Sequence, residues 1–179
     1  HHLKVCGYKV LLDGSPQSKT AWVTKPYTDG TKGYPMLSDE ELEPLVERAV
    51  REQQQLLMHA NGDAAADQYL RVYEKVTKKW GPGIRPVLIH GQIMRHDQVK
   101  ELARLGITPS FFLAHVYHWG DVHMENLGME RARRISPVRD AEEKQIPFTL
   151  HQDSPVIPPD MMETVWCAVN RKTKNGVVL

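Results

Sequence analysis

The chain has no long apolar segment, few cysteines and almost no net charge. Its 179 residues carry 23 lysines and arginines against 22 aspartates and glutamates, a formal net charge of +1. This balance gives no electrostatic reason to expect binding to nucleic acid. No run approaches the roughly 18 apolar residues that a membrane-spanning helix needs, so we expect no membrane association. Cys6 and Cys167 are too few for a disulfide framework, which favours a reducing, cytoplasmic compartment.

The sequence contains instead an alternation of strand-like and helix-like segments. This order predicts a single α/β domain over residues 1–179, with a parallel sheet and right-handed crossovers. Five strand–helix units cannot close an eight-stranded barrel, so the pattern fits a smaller open sheet or a partial TIM-like (β/α) barrel. We expect strands at 4–12, 56–59, 86–90, 107–113 and 148–151, helices at 38–49, 63–80, 97–105, 137–144 and 161–171, and long loops at 15–37 and 114–135.

Three of the predicted strands end on a side chain that can bind metal. His59 follows Leu-Leu-Met, His90 follows Val-Leu-Ile, and Asp153 comes just after the last strand. A strand that delivers His or Asp at its carboxyl end, repeated around one sheet, is how a (β/α) barrel builds a metal site. Alone, each histidine could be structural and the aspartate could serve a turn. Their repetition favours a metal-dependent hydrolase in which Asp153 also accepts a proton from water.

Lys9 lies on the first predicted strand, where residues 9, 11 and 13 share one face. A lysine beside metal ligands is unfavourable unless its charge changes. Addition of carbon dioxide to the neutral amine would give an anionic carbamate that can bridge two metals. From the spacing alone, the favoured alternative is that Lys9 forms a salt bridge with Asp13 or another carboxylate.

The two long loops follow predicted strands and are candidate walls of a substrate pocket. Loops of this length in compact domains are usually functional or mobile, and the loops after barrel strands line the active site. Asp13, just before the first loop, and Ser15 and Gln17 within it are candidates for shaping the pocket. In the second, His115 is the candidate, and the alternative is a solvated, partly packed loop.

Five segments resemble, in order, successive blocks of the amidohydrolase superfamily. The resemblance is to the amidohydrolase-3 group of metal-dependent hydrolases, which includes N-substituted formamide deformylases. It implies a TIM-like barrel with one or two divalent ions, zinc above all. It also implies that Lys9 is the fourth-strand lysine (often carboxylated), His59 and His90 the fifth- and sixth-strand ligands, and Asp153 the eighth-strand ligand. The segments are GYKVLLDGSPQSKTAW, LLMHANGDAAAD, VLIHGQ, HVYHWGDVHMENLGMERARRISPVRDA and PFTLHQDSPVIPPDMMETVWCAVNRKT.

The chain departs from that family at the first strand, where an HxH pair supplies two further ligands. No HxH occurs in this sequence, so we expect strands four to eight of the barrel and little activity from the chain alone. The two exposed edges of such a sheet predict a homodimer. Two functions stay open. One is part of a metal-dependent amidohydrolase that cleaves C–N bonds of small amide-type substrates with a metal-activated water. The other is a non-catalytic binding or assembly domain without a complete metal site.

Overall fold

A computed structural model of the protein describes residues 7–179. Its centre is one five-stranded sheet in which every strand is parallel to its neighbour and the strands follow chain order. The α/β fold with five parallel strands is thereby confirmed. The strands are β1 (Gly7–Leu11), β2 (Gln55–Ala60), β3 (Val87–His90), β4 (Thr108–Phe111) and β5 (Thr149–Leu150).

Helices connect the strands at nearly the predicted positions. The helix α1 begins after Ser38, whose side chain accepts from the backbone N–H of Glu41 while the Glu41 side chain accepts from Ser38, which is the capping box that the sequence predicts. Gly106 ends α3 in the left-handed conformation that glycine tolerates. The helices are α1 (Asp39–Arg51), α2 (Asp63–Trp80), α3 (His96–Leu105), α4 (His115–Leu127), α5 (Met129–Ala132), α6 (Val138–Glu143) and α7 (Met161–Asn170).

The two faces of the sheet differ in burial. In β2, Leu56, Met58 and Ala60 are buried in the core that α1 and α2 help to form, whereas the alternate residues are only half buried. Side chains alternate along a strand, so His59 lies on the less covered face. Leu11 pairs with His59 in register, which places Leu11 and Lys9 on this same face. Both are exposed there.

The predicted loop over 114–135 is wrong, because this segment forms α4 and α5. The buried face of α4 includes His115, Gly120 and His123 together with Val116 and Leu127. Three of these five positions are not strongly apolar, so the spacing of hydrophobic residues does not reveal the helix. Only the packing of the folded chain places histidine and glycine on its inner side.

The sequence predictions about the chain start, the cysteines, membrane helices and the sheet edges have different outcomes. Residues 4–6 of the first predicted strand, with Cys6, lie outside the described residues. Cys167 is a buried free thiol. Over residues 7–179, no helix has the length and apolar character needed to cross a membrane. The outer strands of the sheet are β1 and β5, and dimerisation through these edges stays a prediction.

Candidate metal centre

Three side chains at the carboxyl ends of the strands form a group with metal-ligand spacing. His90, His151 and Asp153 each offer one ligand atom, and these atoms all lie within 4.8 Å of one another. His59 is adjacent, with its ring centroid 4.6 Å from that of His90, but it is not a member of this three-residue group. The structure therefore gathers His59, His90 and Asp153 at one place, as the sequence predicts, and adds His151.

His90 reaches the group through an unusual backbone conformation. Regular alternation would place His90 on the same face as the buried Leu88. Instead, His90 has φ 78° and Gly91 has φ 52°, so the strand ends in two left-handed residues. The His90 ring consequently contacts the rings of His59 and His151. Left-handed conformations are uncommon for residues other than glycine, and His90 is one of eight such residues within residues 7–179.

Asp153 shows the same feature on the turn after β5. Its φ is 53°, and its backbone carbonyl accepts a hydrogen bond from Val156 N at 2.9 Å. The residue is half buried. Asp153 is thus held by its turn while its carboxylate stays close to His90 and His151.

Asp13 stands behind His59 as a fully buried carboxylate. Its Oδ2 accepts from the backbone N–H groups of Trp22 at 3.0 Å and Gly62 at 2.7 Å, and its Oδ1 accepts from Asn61 N at 2.9 Å. His59 Nδ1 lies 3.4 Å from Asp13 Oδ1 and has no hydrogen-bond partner among the described residues. Asp13 therefore ties the long loop after β1 to the turn after β2, directly beside a predicted ligand.

Lys9 is exposed on the sheet face that carries His59. The salt bridge with Asp13 that its spacing favours is absent, and within residues 7–179 no other carboxylate forms one with Lys9 either. Its positive charge lowers the pKa of both His90 and His151, which indicates that it is near the group. Its role as a ligand stays a prediction.

The remaining predicted pocket residues, Ser15 and Gln17, make contacts within their own loop and with α4. Ser15 Oγ is bonded to Ser18 Oγ at 2.7 Å within its own turn. The backbone carbonyl of Gln17 accepts from Asn126 at 3.2 Å, while Gln17 Oε1 is buried and has no hydrogen-bond partner within residues 7–179. These contacts pin the loop and leave the predicted pocket role of Ser15 and Gln17 untested.

His115 is buried and separated from the group by an aromatic ring. The ring of Phe112 lies 4.8 Å from His115 and 5.5 Å from His151, centroid to centroid. His115 Nδ1 lies 3.0 Å from His123 Nε2. Burial is the main cause that lowers the pKa of His115 well below its usual value, and it lowers the pKa of His123 to about 4, so both imidazoles of this pair are neutral at pH 7.

Burial also keeps the histidines of the group neutral. It lowers the pKa of His90 to about 2, and the neighbouring histidines add to the effect. It lowers the pKa of His151 to about 4, although the Asp153 charge acts in the opposite direction. A neutral imidazole has a free lone pair, which is the form that binds metal.

Comparison with known proteins places the whole chain in one protein family. A model described as the amidohydrolase family matches residues 1–179, the whole chain. The chain belongs to the amidohydrolase family. An uncharacterized metal-dependent hydrolase from Pyrococcus horikoshii OT3 superposes with a TM-score of 0.83 at 30% identity, covering 97% of this chain and 34% of that one.

Curated relatives of this amidohydrolase chain show the same partial coverage. YtcJ of Bacillus subtilis (strain 168) is 28% identical over 172 residues, 93% of this chain and 32% of YtcJ. The N-substituted formamide deformylase of Arthrobacter pascens is 28% identical over 155 residues, 84% of this chain and 29% of the deformylase. The chain thus spans about a quarter to a third of the length of the curated relatives it matches.

Sequence reasoning about this amidohydrolase chain missed His151 as a member of the group. A signal was present, because His151 and Asp153 are two residues apart, and in an extended segment such residues point to the same side. The apolar run before His151 predicts that His151 belongs to the strand, so Asp153 alone is the predicted polar group after the strand end.

Proposed function

We propose that this chain supplies part of the metal centre of a hydrolase that cleaves C–N bonds of small amide-type molecules with a metal-activated water. The observation that carries the proposal is the convergence of His90, His151 and Asp153 ligand atoms within 4.8 Å at the carboxyl ends of the strands. The N-substituted formamide deformylase among the relatives removes, by its name, a formyl group from nitrogen, which breaks such a bond.

The donor set fits a divalent ion, and zinc in particular. Imidazole nitrogen and carboxylate oxygen are zinc ligands, whereas calcium and magnesium prefer oxygen alone. A carboxylated Lys9 would add an anionic oxygen ligand on the same sheet face, for one or two ions in all. When bound, such an ion lowers the pKa of a coordinated water to about 7 and polarises a carbonyl oxygen.

Three residues of this chain would have separate roles in proton transfer, ligand orientation and shielding of the centre. Asp153 accepts the proton of the attacking water and returns it to the leaving nitrogen, because its carboxylate is beside the group and half buried. Asp13 orients the His59 ring from the Nδ1 side, and a metal ion at Nε2 would replace the 3.4 Å contact of that atom with Asn61 Nδ2. The ring of Phe112, in contact with the rings of His90 and His151, gives the centre an apolar wall.

Activity and its metal dependence test this proposal on the protein purified at its native length. After zinc loading, we expect hydrolysis of N-substituted formamides or related amides that is lost on chelation and restored by zinc. Asp153→Asn should remove most of the turnover. Asp160→Asn is the matched control, because Asp160 caps α7 through Glu163 N at 3.0 Å and asparagine caps equally well.

The missing HxH pair supports a second candidate, a domain that binds or assembles without catalysis. This alternative predicts that the protein at its native length hydrolyses no amide even when zinc is bound. Turnover that chelators leave unchanged would instead contradict the metal-dependent mechanism.

A further inference from the structure

His151 and His90 face each other with two ring nitrogens that match a shared metal ion. His151 Nε2 lies 3.1 Å from His90 Nδ1. Two imidazoles bound to one tetrahedral zinc, each at about 2.0–2.1 Å, have their nitrogens about 3.3 Å apart. The observed separation is therefore close to that of two ligands on one ion. Asp153 supplies a third ligand atom within the same 4.8 Å group.

The other ring nitrogen of His151 is held in the way that metal-binding histidines usually are. His151 Nδ1 lies 2.9 Å from Ser110 Oγ, and Thr149 Oγ1 donates to the same oxygen at 2.8 Å. A serine oxygen has two lone pairs and can accept both bonds. With Nδ1–H donated to Ser110, the lone pair of His151 lies on Nε2, the nitrogen that faces His90. A hydrogen bond of this kind fixes the tautomer and orientation of a ligand histidine.

From this geometry we propose that His151 is itself a metal ligand, so that the β5 end contributes two ligands, His151 and Asp153, to the ion that His90 binds. The proposal rests on the proposed function, because it assumes a divalent ion at this centre. It also gives the centre a nitrogen ligand in a chain whose sequence has no HxH pair. His59 lies outside the three-residue group but beside His90, and is then the candidate for a further ligand.

Metal binding by this chain tests the assignment without any measurement of turnover. Cobalt(II) is titrated into the unaltered chain and into His151→Gln, His90→Gln and His96→Gln, with visible absorption and calorimetry as readouts. His96 is the matched control, since it is half exposed on α3 beside Asp140. We expect His151→Gln and His90→Gln to weaken cobalt binding by at least about tenfold, with a changed absorption band, and His96→Gln to bind like the unaltered chain.

A second measurement avoids reliance on a variant that could misfold. In the unaltered chain labelled with ¹⁵N, zinc should shift the Nε2 resonance of His151 to the position of a metal-bound nitrogen, while Nδ1 stays protonated. Circular dichroism of the metal-free variants checks their folds.

The possible outcomes separate this inference from the proposed function. Cobalt binding that His151→Gln leaves unchanged and His90→Gln abolishes would overturn the inference alone. A ¹⁵N spectrum in which zinc leaves His151 unshifted would do the same. If the unaltered chain bound neither metal, the inference would fall for this chain, and turnover at native length would still decide the function.

Discussion

Replacing Asp13 with asparagine should weaken both the fold and the metal centre. The substitution keeps the size of the side chain and removes its charge and one acceptor oxygen. If the remaining oxygen takes the place of Oδ2, the bonds from Trp22 N and Gly62 N survive. The new amide nitrogen then faces Asn61 N–H and His59 Nδ1, two groups that now face the Asp13 carboxylate.

The size of each effect follows from these contacts. A buried N–H that loses its acceptor costs about 1–3 kcal/mol, so we expect the free energy of unfolding to fall by about that amount. Natural domains have about 5–15 kcal/mol of stability, so the variant should still fold. Loss of the group that orients a ligand histidine typically lowers metal affinity by about 10–100-fold.

Urea unfolding and cobalt(II) titration measure the two effects separately. Asp63→Asn is the matched control, because Asp63 is also buried and accepts a backbone bond from Thr24 at 2.9 Å, yet contacts none of the candidate ligands. It should destabilise the chain and leave metal affinity unchanged. If Asp13→Asn behaves in the same way, Asp13 is only an anchor for the loop, and its assigned effect on His59 is refuted.

Three further predictions address catalysis, acid stability and the lysine. In zinc-loaded protein at native length, Asp153→Asn should lower kcat by at least about 10²-fold with little change in Tm. A near-normal kcat together with a loss of ~1 kcal/mol in the free energy of unfolding would mean that Asp153 only stabilises its turn. Burial lowers the pKa of His123 to about 4, against about 6.5 when unfolded, so the unfolded chain takes up the proton first and stability falls as pH decreases. The expected loss from this residue is about 2 kcal/mol between pH 7 and pH 5. In urea unfolding, the stability of His123→Gln should fall less between pH 7 and pH 5 than that of the unaltered chain. An equal fall in both proteins would contradict the role of His123. Lys9 should be unmodified in the chain alone, and an intact mass that shows a stable carbamate would disprove this.

The order of strands and helices could be predicted because it depends on local patterns. Short apolar runs such as those at 56–58 and 87–89, the capping box at Ser38 and the stop at Gly106 act within a few neighbours along the chain. Parallel strands also meet at one edge with their carboxyl ends. That rule predicts that His59, His90 and Asp153 lie at the same edge of the sheet.

Other features depend on contacts between distant segments, which the sequence does not display. The helix α4 presents His115 and His123 to the interior, so its hydrophobic pattern is weak and the segment resembles a loop. Asp13 bonds to residues up to 49 positions away, which its place after a strand does not reveal.

Only the tertiary structure decides which side chains make up the candidate metal centre. The sequence by itself determined which strand ends carry polar side chains, because each strand follows from its own residues. Whether His59 or His151 completes the group with His90 and Asp153 depends on how the strand ends turn, and the left-handed backbone at His90 and Asp153 sets those directions. A ligand group is a relation between side chains in space, so it becomes defined when the sheet and its turns have formed.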